Sequence, residues 1–155
     1  MRLEILDNII ILYISNLEKT SINFDKIDEV EEYFRNILLR LKEYYYIEVK
    51  GAYKIMVYTD KKEGMVFHLE KEEGNYYDTI HQLEIRMLHE ETTFFYEVED
   101  PFSLSLDTLD IYLYQDKIYV KRKTDEKEYR LYEFGRVIYE NTNRILNNGK
   151  KVTIY

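Results

Sequence analysis

The segment from Ile27 to Tyr45 constrains the fold more than any other. Ile27, Val30, Phe34, Ile37, Leu38, Leu41 and Tyr45 recur at steps of three and four residues, which puts them on one face of an α-helix. Asp28, Glu29, Glu31 and Glu32 crowd its first turns, while Arg35, Arg40 and Lys42 lie toward its end, so the charges follow the helix dipole. Asp25 stands where a side chain can cap the free N–H groups of the first turn. One apolar face cannot be buried by a lone helix, so a second layer is required.

Alternating runs on both sides supply that layer. Arg2 to Leu6 turns at Asp7-Asn8 into the apolar run Ile9 to Ile14. After the helix Tyr45, Ile47 and Val49 alternate, then Tyr53, Ile55 and Val57, then Met65, Phe67 and Leu69. Lys50-Gly51 and the cluster Asp60 to Gly64 read as the turns between them. The order predicts a hairpin, helix, hairpin unit over residues 1–73, with the helix lying across a sheet. It leaves no gap for a phosphate-binding loop, since all five glycines are solitary.

Glu70 to Asn75 is the candidate boundary, and a strand-rich second unit is expected over 76–155, unless the whole forms one continuous domain. Leu83, Ile85 and Met87 alternate as in a strand, although Ile80, Leu83, Met87 and Leu88 also fit a helix; the strand is adopted here. Phe94, Tyr96 and Val98 form a strand stopped by Asp100-Pro101, because proline cannot donate to a ladder. Leu109 to Leu113 and Lys117 to Lys121 form a hairpin over Tyr114-Gln115-Asp116. Between Tyr129 and Leu146 both periods are present; a strand into Gly135 followed by a short helix from Asn143 to Leu146 reconciles them. Asn147-Asn148-Gly149 is a turn, and Val152 to Tyr155 a last strand. The expected class is α+β: a mostly antiparallel sheet with one principal helix packed on it, then a strand-rich half with a short C-terminal helix.

The composition excludes several chemistries. Without cysteine there is no disulfide, thiolate metal site or cysteine nucleophile. Ile9 to Ile14 is too short to span a bilayer, and a cytoplasmic location is the expectation. The net charge of −8 comes wholly from residues 60–100, where twelve acids face four bases. Such a field repels nucleic acid and attracts basic protein surfaces, although an ordinary solvated acidic face is the plainer reading of the same stretch. Lys117, Lys121, Arg122 and Lys123 interleave with Tyr112, Tyr114 and Tyr119, but acids surround them, so pairing with the acidic stretch is expected rather than nucleic-acid binding.

No catalytic, cofactor or metal constellation stands out. His68, His81 and His89 are not spaced as ligands. Glu97, Glu99 and Asp100 lie beside Phe94, Phe95 and Phe102, the nearest approach to a desolvated carboxylate pair, yet Glu97 and Glu99 share one strand face and read as solvent-facing. Tyr44-Tyr45-Tyr46 at the helix end points in three directions, so at least one ring is exposed, and exposed tyrosine is a frequent interface anchor. Tyr44, Tyr46, Glu97, Glu99, Asp100 and Phe102 are the candidate protein-binding residues.

Several stretches together resemble the MecA family of adaptor proteins for the ClpC unfoldase. These are Met1 to Asn8 with Leu12-Tyr13-Ile14-Ser15; Phe24, Glu29, Glu32, Phe34 and Leu38; and Ile47 to Gly51 with Ile55-Met56-Val57, Asp60, Gly64 and Met65-Val66. In the second half they are Phe95 to Asp100 with Leu104, Leu113 to Val120, and Arg130 to Ile138. The family's long acidic interdomain linker has only Glu70 to Asn75 as counterpart, and Lys123 to Glu128 leaves no room for its C-terminal helix. The resemblance implies a non-catalytic adaptor or regulator that needs no cofactor and presents a client protein to an AAA+ unfoldase. The alternative from charge alone is an acidic inhibitor or immunity-type protein that occludes a basic partner surface.

Overall fold

The computed structural model describes residues 2–15, 22–23, 25–47, 49–72, 83–124 and 129–153. The chain divides into two compact units, Met1–Glu91 and Thr92–Tyr155. The expected α+β class holds, with one main helix, largely antiparallel sheets and a short C-terminal helix. Residues 73–75 of the expected boundary, His81, and residues 154–155 of the expected last strand lie outside the described residues.

The first unit contains β1 (Arg2–Leu6), β2 (Ile9–Ser15), α1 (Ile27–Tyr45), β3 (Gly51–Asp60), β4 (Gly64–Lys71) and β5 (Leu83–Glu91). Its sheet has the order β1-β2-β4-β3-β5, antiparallel except where β5 runs parallel to β3. Strand alternation puts Leu12, Phe67 and Val57 in one row across the sheet and Ile10, Leu69 and Ile55 in the next. Val30, Phe34, Ile37 and Leu41 of α1 are buried in the same core. The Phe34 and Phe67 rings meet at 5.0 Å between centroids. The adopted strand at Leu83 is present, but its pairing with β3 makes it part of the first unit, so the division falls at Glu91 and Thr92, beyond the expected 73–76.

Both ends of α1 differ from expectation. Asp25 does not cap it: Lys26 occupies the cap position with no side-chain cap bond, and the Asp25 N–H is taken by the Asn23 side chain at 3.0 Å. Glu29 reaches back instead, its carboxylate accepting from the Asn23 N–H at 3.2 Å. At the other end Tyr46 takes a left-handed backbone, φ 57°, and the Ile47 N–H donates to the Leu41 carbonyl at 3.2 Å. Helix and cap therefore take Tyr45 to Ile47 out of the expected strand, Val49 lies in no strand, and Gly51 opens β3 where a hairpin turn was expected. The helix is about 28 Å long, its buried residues stop at Leu41, and Tyr45 is exposed although it lies on the apolar stripe.

The second unit contains β6 (Phe95–Val98), β7 (Leu109–Tyr114), β8 (Lys117–Arg122), α2 (Tyr129–Phe134), β9 (Arg136–Ile138), α3 (Asn143–Asn148) and β10 (Lys150–Val152). Its antiparallel sheet has the order β10-β7-β8-β6-β9. Tyr96, Val98, Ile111 and Val120 pack with Leu131 of α2, while Phe95 and Tyr119 pack with Ile145 of α3. The β7–β8 hairpin turns on Gln115 and Asp116, both at positive φ, the pattern of a type I′ turn.

Residues 129–139 differ from the expected strand. A helix, not a strand, leads into Gly135, and the strand follows it. The reason is tertiary: Leu131 is fully buried against the sheet, and the Gly135 N–H closes the turn on the Leu131 carbonyl at 2.9 Å. Likewise Asn147 and Asn148 finish α3, with Gly149 as its cap, where a free turn was expected.

Candidate functional site

β6 ends at Val98, and the chain leaves the sheet through Glu99 and Asp100. The Asp100 side chain accepts from the Phe102 N–H at 3.0 Å, and the Ser103 hydroxyl donates to the Asp100 carbonyl at 3.0 Å. Pro101 starts a single 3₁₀ turn with its fixed φ. These local bonds hold Phe102 outward, 79 % exposed. Phe134, the last residue of α2, is 75 % exposed.

A cleft of about 800 Å³ opens at this end of the second unit. Val98, Leu104, Ile118 and Phe134 give it an apolar floor and wall. Glu97 carries its charge: the carboxylate lies 3.2 Å from Lys117 Nζ and 3.7 Å from the Arg136 guanidinium. Arg130 donates to the Ser103 carbonyl at 2.7 Å, tying α2 to the turn that bears Phe102. Glu99, Asp100 and Asp116 complete the lining. The Lys117 contact is one pairing of the basic hairpin with the acidic stretch, within the second unit, while Arg122 of the same run lies over the Tyr132 ring.

Glu97 is therefore an ion-paired carboxylate, with cations from β8 and β9 beside it. The cleft offers what side-chain recognition uses, an apolar depression with charged groups of both signs at its margin. Glu97 does not face solvent freely as expected: it lies opposite Tyr119 and Arg136 in the sheet and is partly covered. Glu99 is beyond the strand end, so the two do not share a strand face.

The other two candidates lie in the first unit. Tyr44 and Tyr46 end α1 at 73 % and 91 % exposed, and Tyr45 between them is exposed as well. Arg130, Phe134 and Arg136 were not singled out from sequence. The signal available was the helical spacing of Leu131 and Phe134, set aside in favour of a strand.

His68 and His89 cannot converge, because strand alternation puts them on opposite faces of the first sheet. His89 Nε2 lies 2.7 Å from the Thr59 hydroxyl. Among the described residues no group of three His, Cys, Asp or Glu is arranged to hold a metal ion. Among them, too, no helix is long and apolar enough to cross a membrane. A search of family models, curated proteins and solved structures returns no match to the chain.

Proposed function

We propose that the chain is a protein-binding adaptor or regulator without a reaction of its own. The observation that supports this most is the set of large aromatic side chains held outward by ordered backbone: Phe102 and Phe134 beside a charged cleft, Tyr44 and Tyr46 at a capped helix end. Exposed aromatics on rigid supports lose little entropy on binding and are frequent interface anchors. The resemblance to MecA-type adaptors supplies the partner class, a client protein together with a ClpC-type AAA+ unfoldase in the cytoplasm. The acidic central stretch would steer encounter with basic surfaces more than it tightens the complex.

The test is to mix the protein with a ClpC-type unfoldase and follow ATPase rate and assembly. Stimulation that falls in a Phe102→Ala/Phe134→Ala variant is the expected result, and no effect at micromolar concentrations refutes the unfoldase partnership. The cluster of Glu99, Asp100 and Asp116 at the cleft favours the second reading, an acidic inhibitor of a basic partner. That reading requires one tight partner lost at high salt and no unfoldase binding, so a complex captured equally at low and high salt counts against it.

A further inference from the structure

We infer that the outer edge of β5 is a self-pairing surface, through which two copies of the chain join their first-unit sheets. The two sheets end in four edge strands: β1 with five residues, β9 and β10 with three each, and β5 with nine. Short edges are a normal protection, since an open edge offers unpaired N–H and C=O groups to another chain. β5 is long, and among the described residues nothing pairs with its outer side. It contains no lysine, proline or glycine; among its described residues the only guard on the edge is charge, from Arg86, Glu90 and Glu91, which a suitably charged partner strand can pair.

Its side chains specify the partner. Pairing of Met87 with Ile55 puts Ile85 and Met87 on the helix-bearing face, where both pack on the core. Arg86, Leu88 and Glu90 then share the opposite face, and all three are exposed, Leu88 at 49 %. An apolar residue flanked two positions away by a cation on one side and an anion on the other is complementary to itself, but only when antiparallel. A two-fold axis at Leu88 sets Leu88 against Leu88 and puts Arg86 opposite Glu90 twice, the cross-strand charge pair that stabilises sheets. Moving the axis to Met87 sets Arg86 against Leu88 and forfeits both charge pairs, and a parallel in-register pairing sets Arg86 against Arg86 and Glu90 against Glu90, bringing like charges together. Met56, half-buried beside Leu88 on β3, widens the apolar strip.

Arg86 already contacts Glu72 at 2.8 Å within its own copy, and Lys61 lies 3.8 Å from Glu91. A guanidinium has five N–H donors, so the Glu72 contact leaves donors for a second carboxylate. The arrangement fits a homodimer, with closed two-fold symmetry and a surface that meets its own copy.

The full chain is tested by sedimentation equilibrium from low to high micromolar concentration, together with cross-linking in a chain that has no other cysteine. Leu88→Cys should form a disulfide-linked dimer on mild oxidation, because directly opposed residues have Cβ atoms about 4.5–5.5 Å apart. Arg86→Cys should not, since its own counterpart is displaced by four residues, about 13 Å. Arg86→Glu should weaken dimerisation on the order of tenfold by replacing two attractive pairs with two repulsive ones. Arg86→Glu/Glu90→Arg should restore it to within about threefold, a rescue that loss of the Glu72 contact cannot produce. Circular dichroism checks that each variant is folded. A wild-type chain that stays monomeric throughout overturns the inference, as does a dimer indifferent to Arg86→Glu, or equal cross-linking by the two cysteine variants.

Discussion

Gly135 links the packing of the second unit to its cleft, and replacing it with alanine measures that link. A Cβ built there meets the Leu131 carbonyl oxygen at 2.6 Å and Tyr96 Cβ at 3.0 Å, where ordinary contact begins at 3.4 Å; the overlap with the oxygen is about 0.8 Å. The oxygen cannot simply retreat, because it accepts the Gly135 N–H at 2.9 Å and belongs to the last turn of α2. Tyr96 cannot yield either: it is fully buried, with its ring 5.8 Å from that of Tyr132. Forcing a methyl group into such a site costs about 1–3 kcal/mol. Loss of glycine's freedom in the unfolded chain offsets about 0.4–1 kcal/mol. The clash wins, and a net destabilisation of about 1–2 kcal/mol is expected. For a chain of this size that corresponds to a melting temperature lower by roughly 2–8 °C. Thermal unfolding by circular dichroism and urea titration at neutral pH would measure it. Because Phe134 and Arg136 flank Gly135 and both line the cleft, partner binding should weaken even where the variant remains folded. An alanine variant as stable as the parent, with binding unchanged, would show that neither the Leu131 carbonyl nor Tyr96 resists a methyl group there.

Phe34→Ala, which empties the centre of the first core against Phe67, should cost about 3–5 kcal/mol in urea unfolding. Burial pushes the Tyr53 hydroxyl above its ordinary value of 10.0, so the stability tied to its protonated form is complete below that pH and is lost as pH rises through the folded value; Tyr53→Phe should lose less stability than the parent above pH 10.0 in alkaline denaturation. Glu97→Ala breaks ion pairs with two well-exposed cations and should change stability by less than about 1 kcal/mol, yet alter the salt dependence of partner binding. Phe102→Ala and Phe134→Ala should leave the stability within about 0.5 kcal/mol while reducing capture of a partner in a binding assay.

Much of the fold was legible because its signals are local. The stripe of Val30, Phe34, Ile37 and Leu41 is a property of one segment, and any surface that buries it makes the same helix. The alternation of β3 and β4 and the hairpin over Gln115 and Asp116 are equally self-contained. Leu131, Phe134 and Ile138 fit a helix while Tyr129, Leu131, Glu133 and Val137 fit a bent strand, so only the burial of Leu131 against the sheet decided between them. That decision also determines the cleft, since α2 brings Arg130 and Phe134 to the turn of Asp100 and Ser103. Candidates chosen for residue type, Glu97, Glu99 and Asp100, were found together because they are neighbours in sequence. Their basic counterparts Lys117 and Arg136 come from other strands, and local pattern does not assign which strands pair.

Hydrophobic period and turn chemistry act over a few residues, and they suffice for the class, the long helix and most of the strands. Tertiary structure decided the rest: β5 joining the first sheet in parallel, Tyr45 left in solvent, and Glu97 held between two cations. Each of these depends on which surface meets which across many residues of chain, and a face can be written in the sequence without naming its partner. β5 is a clear instance. Its alternation is local, its place beside β3 is not, and that place is what leaves Arg86, Leu88 and Glu90 together on an open edge.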